Sequence, residues 1–267
     1  MQTPSYYPAL KAQLKVLKEV AYLPNEQDFA VLQFLHEMRS VDLEALHFGF
    51  FSHTRHNVER TCYSYASSRM ARLLEHGYVK LHTLSHRRHK IYVCTELAIK
   101  ALSIRAGDTY RFTQPHEDQL QREIKLAKIR LCLEKTQAVL AWQCRSVASV
   151  RMIFSGTLYS FHLPDASCQS PNGDTLAIEL VTHEEGLQRC LDMMHGYRRE
   201  LDSQSNTLYR FKQVQIFCEG QPELNLLREK TNPYSSIFQI EKLSKLFKKA
   251  QYKEFKKRPS EEEKLDD

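Results

Sequence analysis

Ser64-Tyr65-Ala66-Ser67-Ser68-Arg69-Met70-Ala71-Arg72-Leu73-Leu74-Glu75-His76-Gly77, running on through Tyr78 to Cys94, is the stretch whose reading decides the fold. Its first part reads as a helix with Tyr65, Met70, Leu73 and Leu74 on the apolar side and Gly77 at a left-handed C-cap. The period then changes to strand alternation over residues 78–83, followed by a polar tip at 85–90 and a second strand at 91–94. Thr95 opens a further helix to about residue 104. Upstream, the helical spacing of Phe29, Leu32, Phe34, Leu35 and Met38 predicts a helix over 25–38, capped by Asn25. A short helix over 42–48 follows, with Asp42 as its cap. Three helices, a hairpin and a closing helix describe a winged helix-turn-helix over residues 25–106, behind an N-terminal helical extension, 1–24.

In such a module the third helix enters the major groove of duplex DNA and offers its early residues to base edges. Here they are Tyr65, Ser67, Ser68, Arg69 and Arg72, hydroxyls and guanidiniums that reach bases or phosphates. Arg87, Arg88 and Lys90 at the hairpin tip supply cations for a neighbouring backbone. Residues 52–111 carry eleven Lys or Arg against four Asp or Glu, which suits a polyanion. Residues 243–258 form a second basic block, seven against one, ahead of an acidic end. The plainer alternatives are solvated charge, Arg69 and Arg72 paired with Glu75 or Glu59, and a winged helix that docks protein. Tyr78 and Tyr92 read as packing residues.

The chain has 267 residues, 42% of them apolar, and a net charge of +6, enough for packed cores throughout. No run approaches the roughly 20 apolar residues that span a bilayer, and no signal-type apolar segment opens the chain. A cytoplasmic protein with no membrane partner is expected. The seven cysteines are dispersed, without a CxxC pair, which fits neither a disulfide framework nor a structural zinc site.

Beyond a linker at 107–115, apolar spacing predicts a long helix over 116–136. Strands are expected at 139–144, 147–154, 157–163 and 176–181, a helix at 184–201, a strand at 212–218 and a last helix from 234 to about 256. Strands interleaved with helices make residues 116–255 a mixed α/β domain. The charged tail, 256–267, is expected to be disordered. Pro164-Asp165 reads as the end of one strand, and Glu179 lies inside the apolar run Ala-Ile-Glu-Leu-Val. A hairpin through Pro171-Asn172-Gly173 brings the two acids to one end of a sheet. Two close carboxylates can share a divalent cation that polarises a phosphodiester. Alternatively Glu179 faces water on an edge strand and Asp165 is a turn residue.

Arg69-Met-Ala-Arg72-Leu-Leu-Glu-His-Gly77-Tyr-Val, Tyr92-Val-Cys-Thr95, His116, Pro164-Asp165-Ala166, Glu179 and Tyr197 form an ordered series. It resembles the replication–relaxation family of plasmid proteins, which includes mobilisation relaxases of the MobC kind. The resemblance spans about residues 25–218. It implies a winged helix joined to a restriction-endonuclease-like domain, an α+β chain that recognises an origin-like plasmid site and nicks it. Further mobilisation or replication proteins would then be partners. By that comparison Asp165 and Glu179 are ligands of Mg2+ or Mn2+, with Glu123 or Glu117 completing the shell. His116 serves as acid/base or metal neighbour, or is simply an exposed first-turn residue, and Tyr197 serves as nucleophile or packs against the sheet. Val181 departs from the pattern, standing where the nuclease signature carries Lys, so a cation such as Lys212 or Arg198 would have to substitute. The alternative function is a non-catalytic DNA-binding regulator or replication accessory factor whose second domain is only a scaffold.

Overall fold

The computed structural model describes residues 22–53, 58–60, 62–83, 90–107, 110, 119–144, 162–202 and 211–252. The expectations for residues 1–21, for the hairpin tip with Arg87 and Arg88, for His116 and Glu117, for the strand at 147–154 and most of that at 157–163, and for the charged tail lie outside them.

Helix α1 (Glu26–Met38) starts at a capping box: Asn25 accepts from the Asp28 backbone N–H, and the Asp28 carboxylate accepts from Asn25 N–H. Strand β1 (Val41–Asp42) and α2 (Leu43–Leu46) follow, the Asp42 side chain accepting the Ala45 N–H as a cap. A π-helical turn, His47–Phe51, continues α2. Helix α3 (Ser64–Glu75) ends at Gly77, whose φ of +72° supplies the left-handed turn. Strands β2 (Val79–Thr83) and β3 (Lys90–Cys94) form an antiparallel hairpin, and β1 pairs on the far side of β3. The sheet order is therefore β1-β3-β2. Helix α4 (Glu96–Ala106), capped by Thr95, closes this unit.

Helix α5 (Leu120–Lys135) leads into a five-stranded mixed sheet, order β4-β5-β6-β7-β8. Its strands are β4 (Leu140–Cys144), β5 (Ala166–Gln169), β6 (Thr175–Val181), β7 (Gln213–Cys218) and β8 (Phe238–Lys242). The first three are antiparallel neighbours, whereas β6, β7 and β8 run parallel. Helix α6 (Gly186–Asp202) makes the crossover from β6 to β7, and α7 (Gln221–Thr231) the one from β7 to β8. The last described helix is α8 (Leu243–Lys249). The protein is thus of mixed α and β structure, and no described helix is long and apolar enough to cross a membrane.

Several expectations are corrected. Pro164-Asp165 does not end a strand but precedes β5, while the hairpin through Pro171-Asn172-Gly173 is found where expected, its turn spanning Ser170–Asp174 between β5 and β6. Residues 238–242 are strand rather than helix, because β8 completes the sheet beside β7 and its side chains pack there. On α3 the buried residues are Ala66, Met70 and Leu73, while Tyr65 and Leu74 are each 37% exposed.

One apolar core runs through both halves. It joins α1, α2, α3 and the small sheet to α5 and to one face of the large sheet through Ala166, Cys168, Ile178, Leu180 and Phe217. A second cluster fills the other face, between Ala177, Val181, Val214 and Ile216 and the helices α6 and α7. Helix α5 is the shared wall, and its polar residues divide by side. Glu123 ion-pairs with Arg39 at 3.3 Å, Lys128 with Asp42 at 2.8 Å, and Arg130 with Glu37 at 2.5 Å, all in the N-terminal unit. Arg122 and Lys125 turn instead toward the large sheet, where Lys125 meets Glu219 at 2.9 Å.

Candidate nucleic-acid interface and acidic site

Burying Ala66, Met70 and Leu73 leaves α3 with an outward stripe of Ser64, Tyr65, Ser68, Ala71, Arg72 and Glu75, positions three and four apart on one face. Tyr65 lies flat against the Arg60 guanidinium, 3.8 Å from ring centroid to carbon, and edge-on to Phe51. Arg72 rests over the Tyr22 ring at 4.4 Å with its side chain exposed. Ser67 is half-buried, and Lys90 is exposed at the start of β3. Arg69 behaves differently. It turns inward to form an ion pair with the fully buried Asp28 and donates to the Tyr22 hydroxyl at 3.2 Å. The paired carboxylate outweighs the cost of burying the guanidinium, so the Arg69 pKa rises. This residue sets α3 against α1. The alternative pairing of Arg69 and Arg72 with Glu75 or Glu59 gives way to Asp28 and Tyr22, which the helix packing brings closer.

In the second block, Lys245 and Lys249 both pair with Glu241, at 3.3 and 2.7 Å, so the described part of that block is partly offset.

The β5–β6 register, Ala166 opposite Ile178, carries Asp165 beside Glu179 one residue further on. Neither acid faces water: Asp165 is 4% exposed and Glu179 0%. Alternation along β6 turns Glu179 with Ala177 and Val181 toward α6. Its Oε1 meets His162 Nε2 at 2.5 Å and accepts the Tyr197 hydroxyl at 2.9 Å. Asp165 Oδ2 accepts the Leu180 backbone N–H at 2.8 Å and pairs with Arg122. Arg122 also donates to the Leu180 carbonyl at 2.8 Å and meets Glu185 at 2.5 Å. Arg189, from α6, lies 3.4 Å from Asp165 Oδ1 and 3.5 Å from Glu179 Oε2, so that one guanidinium spans the two acids.

Burial, and after it the Asp165 charge, raises the Glu179 pKa above the usual carboxylate range. For Arg122, burial works against the charge, but Asp165 and Glu185 outweigh it and the pKa rises. A cleft of about 220 Å³ opens outside this cluster, lined by Arg122, Lys125, Thr182, Glu184, Glu185 and Arg189.

The described residues of the expected site divide accordingly. Asp165, Glu179 and Tyr197 come together. Glu123 does not join them; it accepts the Ser40 hydroxyl at 2.9 Å and pairs with Arg39, one helix position round from Arg122. Tyr197 is fully buried with its hydroxyl committed to Glu179, a positioning arrangement rather than that of a nucleophile meeting a substrate. Arg198 donates to the Lys230 carbonyl, and Lys212 bonds at Thr175, the opposite end of β6, so neither replaces the missing Lys. The residues that reading the sequence missed are His162, Arg122, Arg189 and Glu185. Gly196 in Met-His-Gly-Tyr was one available signal: a Cβ there would stand 2.6 Å from the His162 Cβ.

A divalent ion does not fit this arrangement. The space between the carboxylates is held by Arg189, three of the four carboxylate oxygens accept hydrogen bonds and the fourth, Glu179 Oε2, faces Arg189, and no group of three His, Cys, Asp or Glu side chains is arranged to hold an ion among the described residues. Comparison of the chain with protein-family models, with curated proteins and with solved structures gave no match.

Proposed function

We propose that residues 25–106 form a winged helix that binds duplex DNA, with α3 in the major groove and the β2–β3 hairpin beside it. The observation that carries this reading is the outward stripe of α3, where Tyr65, Ser68 and Arg72 stand on a helix whose other side is fixed to α1 and the small sheet. The element order α1-β1-α2-α3-β2-β3 and the sheet order β1-β3-β2 support it. In this reading Arg69 leaves the contact set, and Tyr65, Ser68, Arg72 and Lys90 remain with the hairpin tip. The second unit serves as a nuclease-like scaffold, and the protein acts as a DNA-binding regulator or accessory factor. The resemblance to replication–relaxation proteins points to an origin-like plasmid site as the target.

Fluorescence anisotropy on duplexes selected from a random pool tests this. Binding should weaken with salt at a slope of about −3 to −4 in log K against log salt, and Arg72→Glu with Lys90→Glu should weaken it further. A full-length chain that binds no duplex at low salt defeats the reading. Strand nicking is the second reading, favoured by the proximity of Asp165 and Glu179. Supercoiled plasmid incubated with Mg2+ or Mn2+ separates the two: the scaffold leaves it intact, whereas nicking that is lost in Asp165→Ala supports cleavage.

A further inference from the structure

We infer that the Asp165–Glu179 pair is a cation site whose occupant is the protein's own Arg189. The inference does not rest on DNA binding by the N-terminal unit. Arg189 Nη2 is 3.4 Å from Asp165 Oδ1 and 3.5 Å from Glu179 Oε2. A hard divalent ion bridging those oxygens would sit about 2.0–2.6 Å from each, within the volume the guanidinium fills. Ion and arginine exclude one another on steric grounds and by like-charge repulsion.

The rest of the cluster holds Arg189 in place. Its Nε lies 3.8 Å from Glu185, four residues earlier and just ahead of α6. Glu185 is in turn held by Arg122 at 2.5 Å and accepts the Thr182 hydroxyl at 3.2 Å. On the inner side, Leu180 N–H and Arg122 fix Asp165, while His162 and Tyr197 fix Glu179. Both carboxylates are therefore oriented toward a common point, and the group at that point is a permanently charged guanidinium. Val181, where the nuclease signature would carry Lys, is buried among Cys190, Met193 and other apolar side chains. The cation reaches the acids from α6 instead of β6. Arg189 is 22% exposed at the edge of the cleft, so replacing it leaves a route from solvent to the two acids.

The full-length chain titrated with Mn2+ and followed by electron paramagnetic resonance tests the assignment. Wild type is expected to leave the Asp165–Glu179 pair metal-free, so its residual Mn2+ uptake should match that of Asp165→Asn. Arg189→Met, which keeps length but removes the charge, should bind Mn2+ at least tenfold more tightly than wild type. Adding Asp165→Asn to that variant should abolish the gain. Thermal unfolding gives a second readout: Mn2+ should raise the Arg189→Met midpoint and leave wild type unmoved. Arg189→Lys keeps the charge and should behave like wild type. Mn2+ uptake by wild type or Arg189→Lys that Asp165→Asn removes overturns the inference, as does a folded Arg189→Met chain that binds Mn2+ no better than wild type. If Arg189→Met does not fold with or without Mn2+, the Arg189→Lys titration decides by the same criterion.

Discussion

Arg69 on α3 closes onto Asp28 on α1, and this ion pair fixes the angle at which the outer helix leaves the core. Asp28 also accepts the Asn25 N–H and the Tyr22 hydroxyl, so one carboxylate joins a cap, an aromatic ring and a neighbouring helix. Asp28→Ala should destabilise the protein by about 3–5 kcal/mol, because it strands a desolvated guanidinium. Arg69→Ala should cost a similar amount, and the double variant less than the sum of the two. Chemical denaturation of the three variants measures this; strict additivity would break the argument.

Arg72 lies only a turn away and should behave in the opposite manner. Its side chain is exposed and its described contact is with the Tyr22 ring. Arg72→Ala should change stability by about 1 kcal/mol or less, yet lower duplex affinity and reduce the salt slope by about 1. Equal slopes for variant and wild type would remove Arg72 from the phosphate contacts.

Gly196 sits where α6 passes the His162 ring. Gly196→Ala should cost about 1–3 kcal/mol through overpacking, since the added methyl would meet His162 Cβ at 2.6 Å and Cγ at 3.0 Å. His162→Ala in the same chain should recover part of that loss, a coupling readable from unfolding midpoints. Gly49→Ala provides the contrast. Its clash is with the terminal methyls of Leu131, which can rotate away, so it should cost less.

How far the sequence disclosed these arrangements depended on whether a signal was local. The cap at Asn25, the left-handed Gly77 and the apolar run of β6 were legible because propensity and hydrogen bonding act within a few residues. The pairing of Asp165 with Glu179 was legible because a hairpin joins them. Arg122, Arg189 and His162 were not, since each arrives from a different element and looks in sequence like an ordinary polar residue. Strand β8 was lost because the apolar-polar alternation of Phe-Gln-Ile-Glu-Lys is only five residues long and was merged into the helix that follows, until β7 supplies a partner. Tyr65 was read both as part of the apolar side of α3 and as an outward residue, and the ring lies outside, against Arg60.

The raised pKa of Glu179 carries a pH dependence of defined sign. Burial comes first among its causes, then the Asp165 charge, so the folded chain keeps this proton to higher pH than the unfolded chain does. Wild type therefore loses stability at this residue as pH rises above the ordinary glutamate value of about 4.3. Glu179→Gln cannot ionise and escapes that loss. Its unfolding midpoint relative to wild type should climb between about pH 4 and pH 7. A difference that stays flat or declines over that range would contradict the burial argument.

Thiol chemistry should single out one cysteine. Cys62 is exposed, and its hydrogen bond with Ser64 lowers its pKa, whereas burial pushes those of Cys94, Cys132, Cys168, Cys190 and Cys218 up. Iodoacetamide at neutral pH should label Cys62 first and the buried thiols only on denaturation. Cys62 stands just before α3, so bound duplex should slow its labelling. Mass spectrometry of the labelled peptides reads both outcomes.

Because α5 gives one side to each half, severing the chain near residue 110 would bare a broad greasy surface on both fragments. That shared core sets the bearing of α3 relative to the cleft beside Arg189.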